Sequence, residues 1–129
     1  MVTSKDEERR DRPEYSLDRI REMAALGKVQ YLSSRVTMDV ENLEFGPDDV
    51  HECLRALEAK HFRGSVRYEG SRAWLDEYLI SCKGQRDSSD NLYIKLKLDR
   101  DCIWPGYFIN CTRPRLSLDC TMNFSLSGV

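Results

Sequence analysis

Histidine, paired cysteine and long apolar runs are scarce in this chain, and each shortage excludes a class of function. The only histidines are His51 and His61, ten apart and in different elements, so a histidine-rich metal centre is excluded. The five cysteines (Cys53, Cys82, Cys102, Cys111 and Cys120) are odd in number and widely spaced. Without a C-x-x-C or paired Cys/His arrangement they support neither a zinc site nor a redox motif, and most are expected as small buried hydrophobes. No stretch approaches the roughly 18 apolar residues of a membrane helix. The charged opening MVTSKDEERRDRPEY lacks the apolar core of a signal peptide, which makes cytoplasmic residence the expectation. G-x-S-x-G, a P-loop and a G-x-G-x-x-G opening a helix are all missing, so the corresponding hydrolase and nucleotide chemistries have no anchor.

What is present fits one ordinary globular domain: 129 residues, 33% charged and 40% hydrophobic. The net charge of −2 conceals an asymmetry, with nine Lys/Arg against fourteen Asp/Glu in residues 1–58 and eleven against eight in residues 59–129. The acidic half reads as helical. Ser16 caps a stripe of Leu17, Ile20, Met23 and Ala24 that Gly27 stops, and Ser33 or Ser34 opens a second helix through about residue 43. A third starts at Gly46-Pro47, with Asp48 and Asp49 at the positive end of the dipole and Val50, Cys53, Leu54 and Leu57 facing inward. KVQY (28–31) reads as a short strand or extended link, and residues 1–14 as a disordered or frayed tail with little to bury. Residues 15–129 are then a single domain.

After Lys60 the period changes from helical to alternating. SVRY (65–68), AWLDEYLISC (73–82), NLYIKLKL (91–98) and a segment within CIWPGYFINC (102–111) read as antiparallel strands. EGSR and DRD are turns between them, KGQRDSSDN is a longer polar loop, and Pro105-Gly106 marks a bulge or an edge. Alternation at Leu116, Leu118 and Cys120 hints at a further strand. Helices first and a meander afterwards predict an α+β sandwich, N-terminal helices packed on an antiparallel sheet.

DNLYIKLKLD (90–99) puts Leu92, Ile94, Leu96 and Leu98 on one face and Tyr93, Lys95 and Lys97 on the other. Spacing alone favours an ordinary wetted sheet face. The alternative is a surface for phosphates, because Lys60, His61, Arg63, Arg67, Tyr68 and Arg72 can converge there from neighbouring strands. RNA carries its own nucleophile, the 2′-hydroxyl. A protein that cleaves it has only to position a phosphate, move two protons and neutralise charge, and it needs no metal. Tyrosine and tryptophan can stack unpaired bases. A carboxylate pair at Asp76 and Glu77 fails as glycosidase machinery, since neighbours on a strand point to opposite faces.

The order YSLDRIREMAALGKVQY, FGPDDVHECLRALEAKHFRGSVRY, AWLDEYLI, NLYIKLKL resembles the motility quorum-sensing regulator (MqsR) family across roughly residues 15–111. The resemblance implies a RelE-like α+β fold and a bacterial type II toxin that cleaves mRNA and is silenced by an antitoxin protein. It implies no cofactor, small molecule or membrane. Family members carry F-Y-K-S-M, W-Q-D-V-Y and Y-x-K runs, with catalytic positions at the first lysine, the glutamine, the tyrosine and a lysine late in the last strand. This chain matches the third through Tyr93 and Lys95. It departs at Gly64, with Arg63 one place earlier, at Leu75, and in FINC, where Asn110 is the nearest polar residue. Expected catalytic residues are therefore Tyr93, Lys95, Arg63 and His61, with Lys60, Arg67, Tyr68, Lys97 and Asn110 holding RNA. The competing expectation is a non-catalytic RNA- or protein-binding module on the same fold.

Overall fold

Ser16 caps the first helix as its position in the sequence requires, its side chain accepting from the Arg19 amide. The computed structural model of the chain describes residues 7–82 and 90–110. Helix α1 (Leu17–Ala25) buries Ile20, Met23 and Ala24. It ends at Gly27, whose φ of +73° lets the Gly27 and Lys28 amides fold back onto the carbonyls of Ala24 and Met23. Helices α2 (Ser34–Asn42) and α3 (Pro47–Arg55) follow, and α3 opens with the Asp49 carboxylate accepting from the Gly46 amide at 2.8 Å. Among the described residues, no helix is long and apolar enough to cross a membrane.

The other layer is a five-stranded antiparallel sheet in sequence order, one strand from before the helices and four from the second half: β1 (Glu7–Arg10), β2 (Phe62–Tyr68), β3 (Leu75–Cys82), β4 (Asp90–Asp99) and β5 (Cys102–Asn110). One face packs on the helices through Tyr78, Ile80, Leu92, Ile94, Leu96, Ile103 and Phe108, and Phe108 meets Phe45 edge-on at 6.1 Å. The predicted parity of β4 holds: Ile94 and Leu96 are fully buried in this core. The bulge expected at Pro105-Gly106 is a register shift in the β4–β5 pairing. KVQY is an extended link along β5, joined by a parallel bridge from Val29 to Ile103.

Three features depart from the sequence reading. Residues Glu7–Arg10, expected in a frayed tail, form β1 against β2. Little apolar surface is involved. The strand is held by an ion pair from Arg67 to Glu8 and by the Arg10 guanidinium lying 4.0 Å above the Trp74 ring. Just beyond it, the buried Asp76 carboxylate accepts from the amides of Glu14 (3.0 Å) and Tyr15 (3.0 Å) and from Ser65 (2.7 Å). Burial pushes this carboxyl above its ordinary range, against those hydrogen bonds. Cys53 and Cys82 are not separate buried thiols but a disulfide, tying α3 to the end of β3 with Cα atoms 6.1 Å apart. The pairing joins residues 29 apart and left no trace in local spacing. Thirdly, the face of the sheet away from the helices is not simply wet. The strand hinted at by Leu116, Leu118 and Cys120 lies outside the described residues, as does most of the 83–91 loop.

Candidate functional site

Register determines what meets on the helix-free face. Lys95 on β4 stands opposite Glu77 on β3 and Tyr107 on β5, while Glu77 stands opposite Gly64 on β2. Tyr93, two residues before Lys95, and Tyr68, near the end of β2, share the face. Arg9 reaches it from β1, opposite Val66. These residues bring two cations, three phenols and a carboxylate together on the face.

The Lys95 ammonium sits at the centre. It lies 4.6 Å from the Tyr107 ring centroid, 4.9 Å from that of Tyr68 and 5.6 Å from that of Tyr93, and it donates to the Tyr68 hydroxyl. Lys95 is only 5% exposed, so the expectation of an open lysine is corrected: rings standing on the sheet wall it in. Glu77, 3% exposed, compensates the charge, with one oxygen 3.7 Å from the ammonium. The same oxygen accepts from the Tyr93 hydroxyl at 2.6 Å, and the other accepts from Arg9 at 2.5 Å. Tyr93 and Tyr107 meet edge-to-face, with ring centroids 6.0 Å apart.

Burial, then the hydrogen bond and charge of Glu77, push the Tyr93 phenol far above its ordinary value. At neutral pH Tyr93 is a hydrogen-bond donor and cannot act as a base. Gly64 explains one departure from the family pattern. Its φ is +151°, a backbone that side-chain-bearing residues rarely adopt, and a Cβ there would stand 3.4 Å from the Glu77 carboxylate. A lysine does not fit that backbone.

Of the residues expected from sequence, Tyr93, Lys95 and Tyr68 come together, and Lys97 shares their face opposite Trp104. Arg67 does not. It points to the other side of β2, paired with Glu8 beneath Trp74. Asn110 is also on the helix-covered side, buried and opposite Leu92. Lys60, His61 and Arg63 lie in a 3-10 turn (Ala59–His61) and the start of β2. Their contacts there are local: Arg63 donates to the carbonyls of Lys60 and Phe62, and the His61 Nδ1 accepts from the Glu58 amide at 2.9 Å. Burial, with the Lys60 and Arg63 charges, lowers the His61 pKa against the pull of Glu58.

Sequence reasoning missed Glu77, Tyr107 and Arg9. Glu77 had a legible signal, since it shares the parity of Leu75 and Leu79 on the face opposite the core. Arg9 had none, because nothing in EERR announces a strand. Among the described residues, no group of three His, Cys, Asp or Glu side chains is placed to hold a metal ion.

A family model described as motility quorum-sensing regulator, toxin of MqsA, matches residues 12–108, which is most of the chain. The search of curated proteins finds no match. The match spans α1, α2 and α3, strands β2 to β4 and all but the last two residues of β5, in an α+β arrangement of the RelE-like kind. The chain belongs to the motility quorum-sensing regulator family, the toxins of MqsA.

Proposed function

We propose that this toxin cleaves single-stranded mRNA in the cytoplasm by metal-independent transesterification, and that a cognate antitoxin protein holds it inactive. The observation that carries the reading is the Lys95 ammonium, enclosed by Tyr68, Tyr93 and Tyr107 and balanced by Glu77. The RNA 2′-oxygen attacks phosphorus as its proton passes to Glu77, and the bond to the 5′-oxygen breaks. That oxygen takes a proton from Lys95, leaving a 2′,3′-cyclic phosphate. Tyr68 donates a hydrogen bond to the phosphate, where charge develops, and the single Tyr93 proton turns from Glu77 to the phosphate as Glu77 takes up the 2′-hydroxyl proton. Lys97 binds a neighbouring phosphate, and Trp104 beside it offers a stacking surface for an unpaired base. His61 and Arg63, expected in the chemistry, lie in the turn that leads into β2 with local contacts, Arg63 at the bulge beside Gly64, and no step is assigned to them.

One observation favours a second reading, a non-catalytic RNA- or protein-binding module. The family's lysine, glutamine and late lysine have no counterparts at Gly64, Leu75 and FINC, and Lys95 is already paired with Glu77. Incubating purified protein with end-labelled single-stranded RNA in EDTA separates the two. Cleavage with cyclic phosphate ends supports the ribonuclease. Binding without cleavage by folded protein supports the module.

A further inference from the structure

The residues matched by the family model begin at 12, yet a strand that precedes them delivers a charged group to the site. Pairing of Arg9 with Val66 sends Glu7 and Arg9 to the helix-free face and Glu8 and Arg10 to the other. Contacts on that other side fix the register: Glu8 with Arg67, and Arg10 with Trp74 and Glu14. A slip by one residue would reverse every side chain, so these contacts also determine that Arg9 faces the site.

The Arg9 guanidinium then occupies the ground above Gly64. Its Nη2 is 2.5 Å from Glu77 and 3.7 Å from where a Gly64 Cβ would stand. A side chain at residue 64 would compete for that space. Two of the five guanidinium N–H donors are engaged by Glu77 and Glu7. The side chain is still 52% exposed, which leaves donors facing outward. By contrast the Lys95 ammonium is enclosed, so Arg9 is the more accessible of the two cations beside Glu77.

From this placement we infer that Arg9 is a phosphate-binding residue of the site, held by Glu77 and supplied by a strand outside the family-matched residues. The inference rests on the RNA-cleaving reading and deepens it. A guanidinium anchored through one edge presents its other edge to phosphate oxygens in a fork that a lysine cannot reproduce. Gly64 keeps the space open for it.

The test uses the full chain and a fluorescent single-stranded RNA bearing 2′-O-methyl groups, which binds but is not cut. Arg9→Gln keeps a donor for Glu77 while removing the charge, and Arg55→Gln on the helical side removes the same charge elsewhere. Anisotropy titrations across salt concentrations are expected to show affinity for Arg9→Gln lowered about tenfold, the scale of one charged hydrogen bond. The slope of log K against log salt should fall by about 0.7, as for one lost single-strand phosphate contact. Arg55→Gln should match wild type in slope. Wild-type binding with an unchanged slope for Arg9→Gln, or equal losses in both variants, overturns the role of Arg9 and leaves the ribonuclease reading standing. No binding by wild-type protein overturns both. Should Arg9→Gln loosen β1, Glu8→Gln provides the check: a strand-packing effect predicts an equal loss there, and phosphate binding predicts none.

Discussion

The two faces of this sheet bury side chains by different means. On the helix side Ile94, Leu96 and Phe108 are dry because a layer of helices lies over them. On the other side Lys95 is nearly as inaccessible with no covering layer, because Tyr68, Tyr93 and Tyr107 stand around it and Glu77 sits beneath. The first face is stabilised by area removed from water. The second is a polar cluster whose members satisfy one another, and losing one member exposes the rest to an unpaired charge. The first face therefore serves stability, and the second can serve chemistry.

Four variants test that division, from the largest effect to the smallest. Phe108→Ala empties the centre of the helix-covered face and should cost about 4 kcal/mol of unfolding free energy by urea denaturation. Cys53→Ser with Cys82→Ser opens the covalent link between that core and the end of β3. The closed 29-residue separation corresponds to about 3.6 kcal/mol in the chain-entropy picture, read as a lower melting temperature under oxidising conditions. In a reducing compartment the pair is two thiols, Cys53 buried and Cys82 partly so, and the double variant should differ much less from wild type there.

Tyr93→Phe reverses the emphasis. The ring stays and the hydroxyl goes, so stability falls by about 1 kcal/mol for the hydrogen bond lost to Glu77. The cleavage rate should fall by about a hundredfold, the scale of one donor lost from the developing charge. A rate equal to wild type would remove Tyr93 from the chemistry and return this face to ordinary sheet surface. The smallest effect is expected at His61, whose folded pKa lies below its ordinary 6.5. Its contribution to stability is complete above pH 6.5 and declines as pH falls, because the unfolded chain takes up the proton first. His61→Gln should flatten the acid side of a stability–pH curve measured by thermal melts.

Legibility followed the range of the interactions. The stripes of α1 and α3 and the alternation of β4 were readable because each depends on spacing within one element, and the parity of Ile94 against Tyr93 came from that spacing alone. Glu77 was visible as a residue but not as a partner. Whether it meets Lys95 depends on the β3–β4 register, which adjacent residues do not encode. Arg67 and Arg9 show the same limit from both sides. Arg67 looked like a phosphate ligand until pairing with β1 turned it toward Glu8, and the same pairing brought Arg9 to the site. The Cys53–Cys82 link and β1 both join distant parts of the chain, and no local pattern announces either.

A sheet must also avoid adding strands from other molecules. The outer edge of β5 is occupied by the 28–32 link: the Gln30 and Leu32 amides donate to the Ile103 and Pro105 carbonyls, and the Ile103 amide donates to Lys28. At the other edge lies β1, four residues long and every one charged, a composition that discourages edge-to-edge pairing. Beneath it β2 is longer and has Val66 at its middle. A chain lacking Glu7–Arg10 would present that strand unpaired, as a template for self-association. The short charged strand therefore helps keep the protein monodisperse, independently of any part it plays in binding RNA.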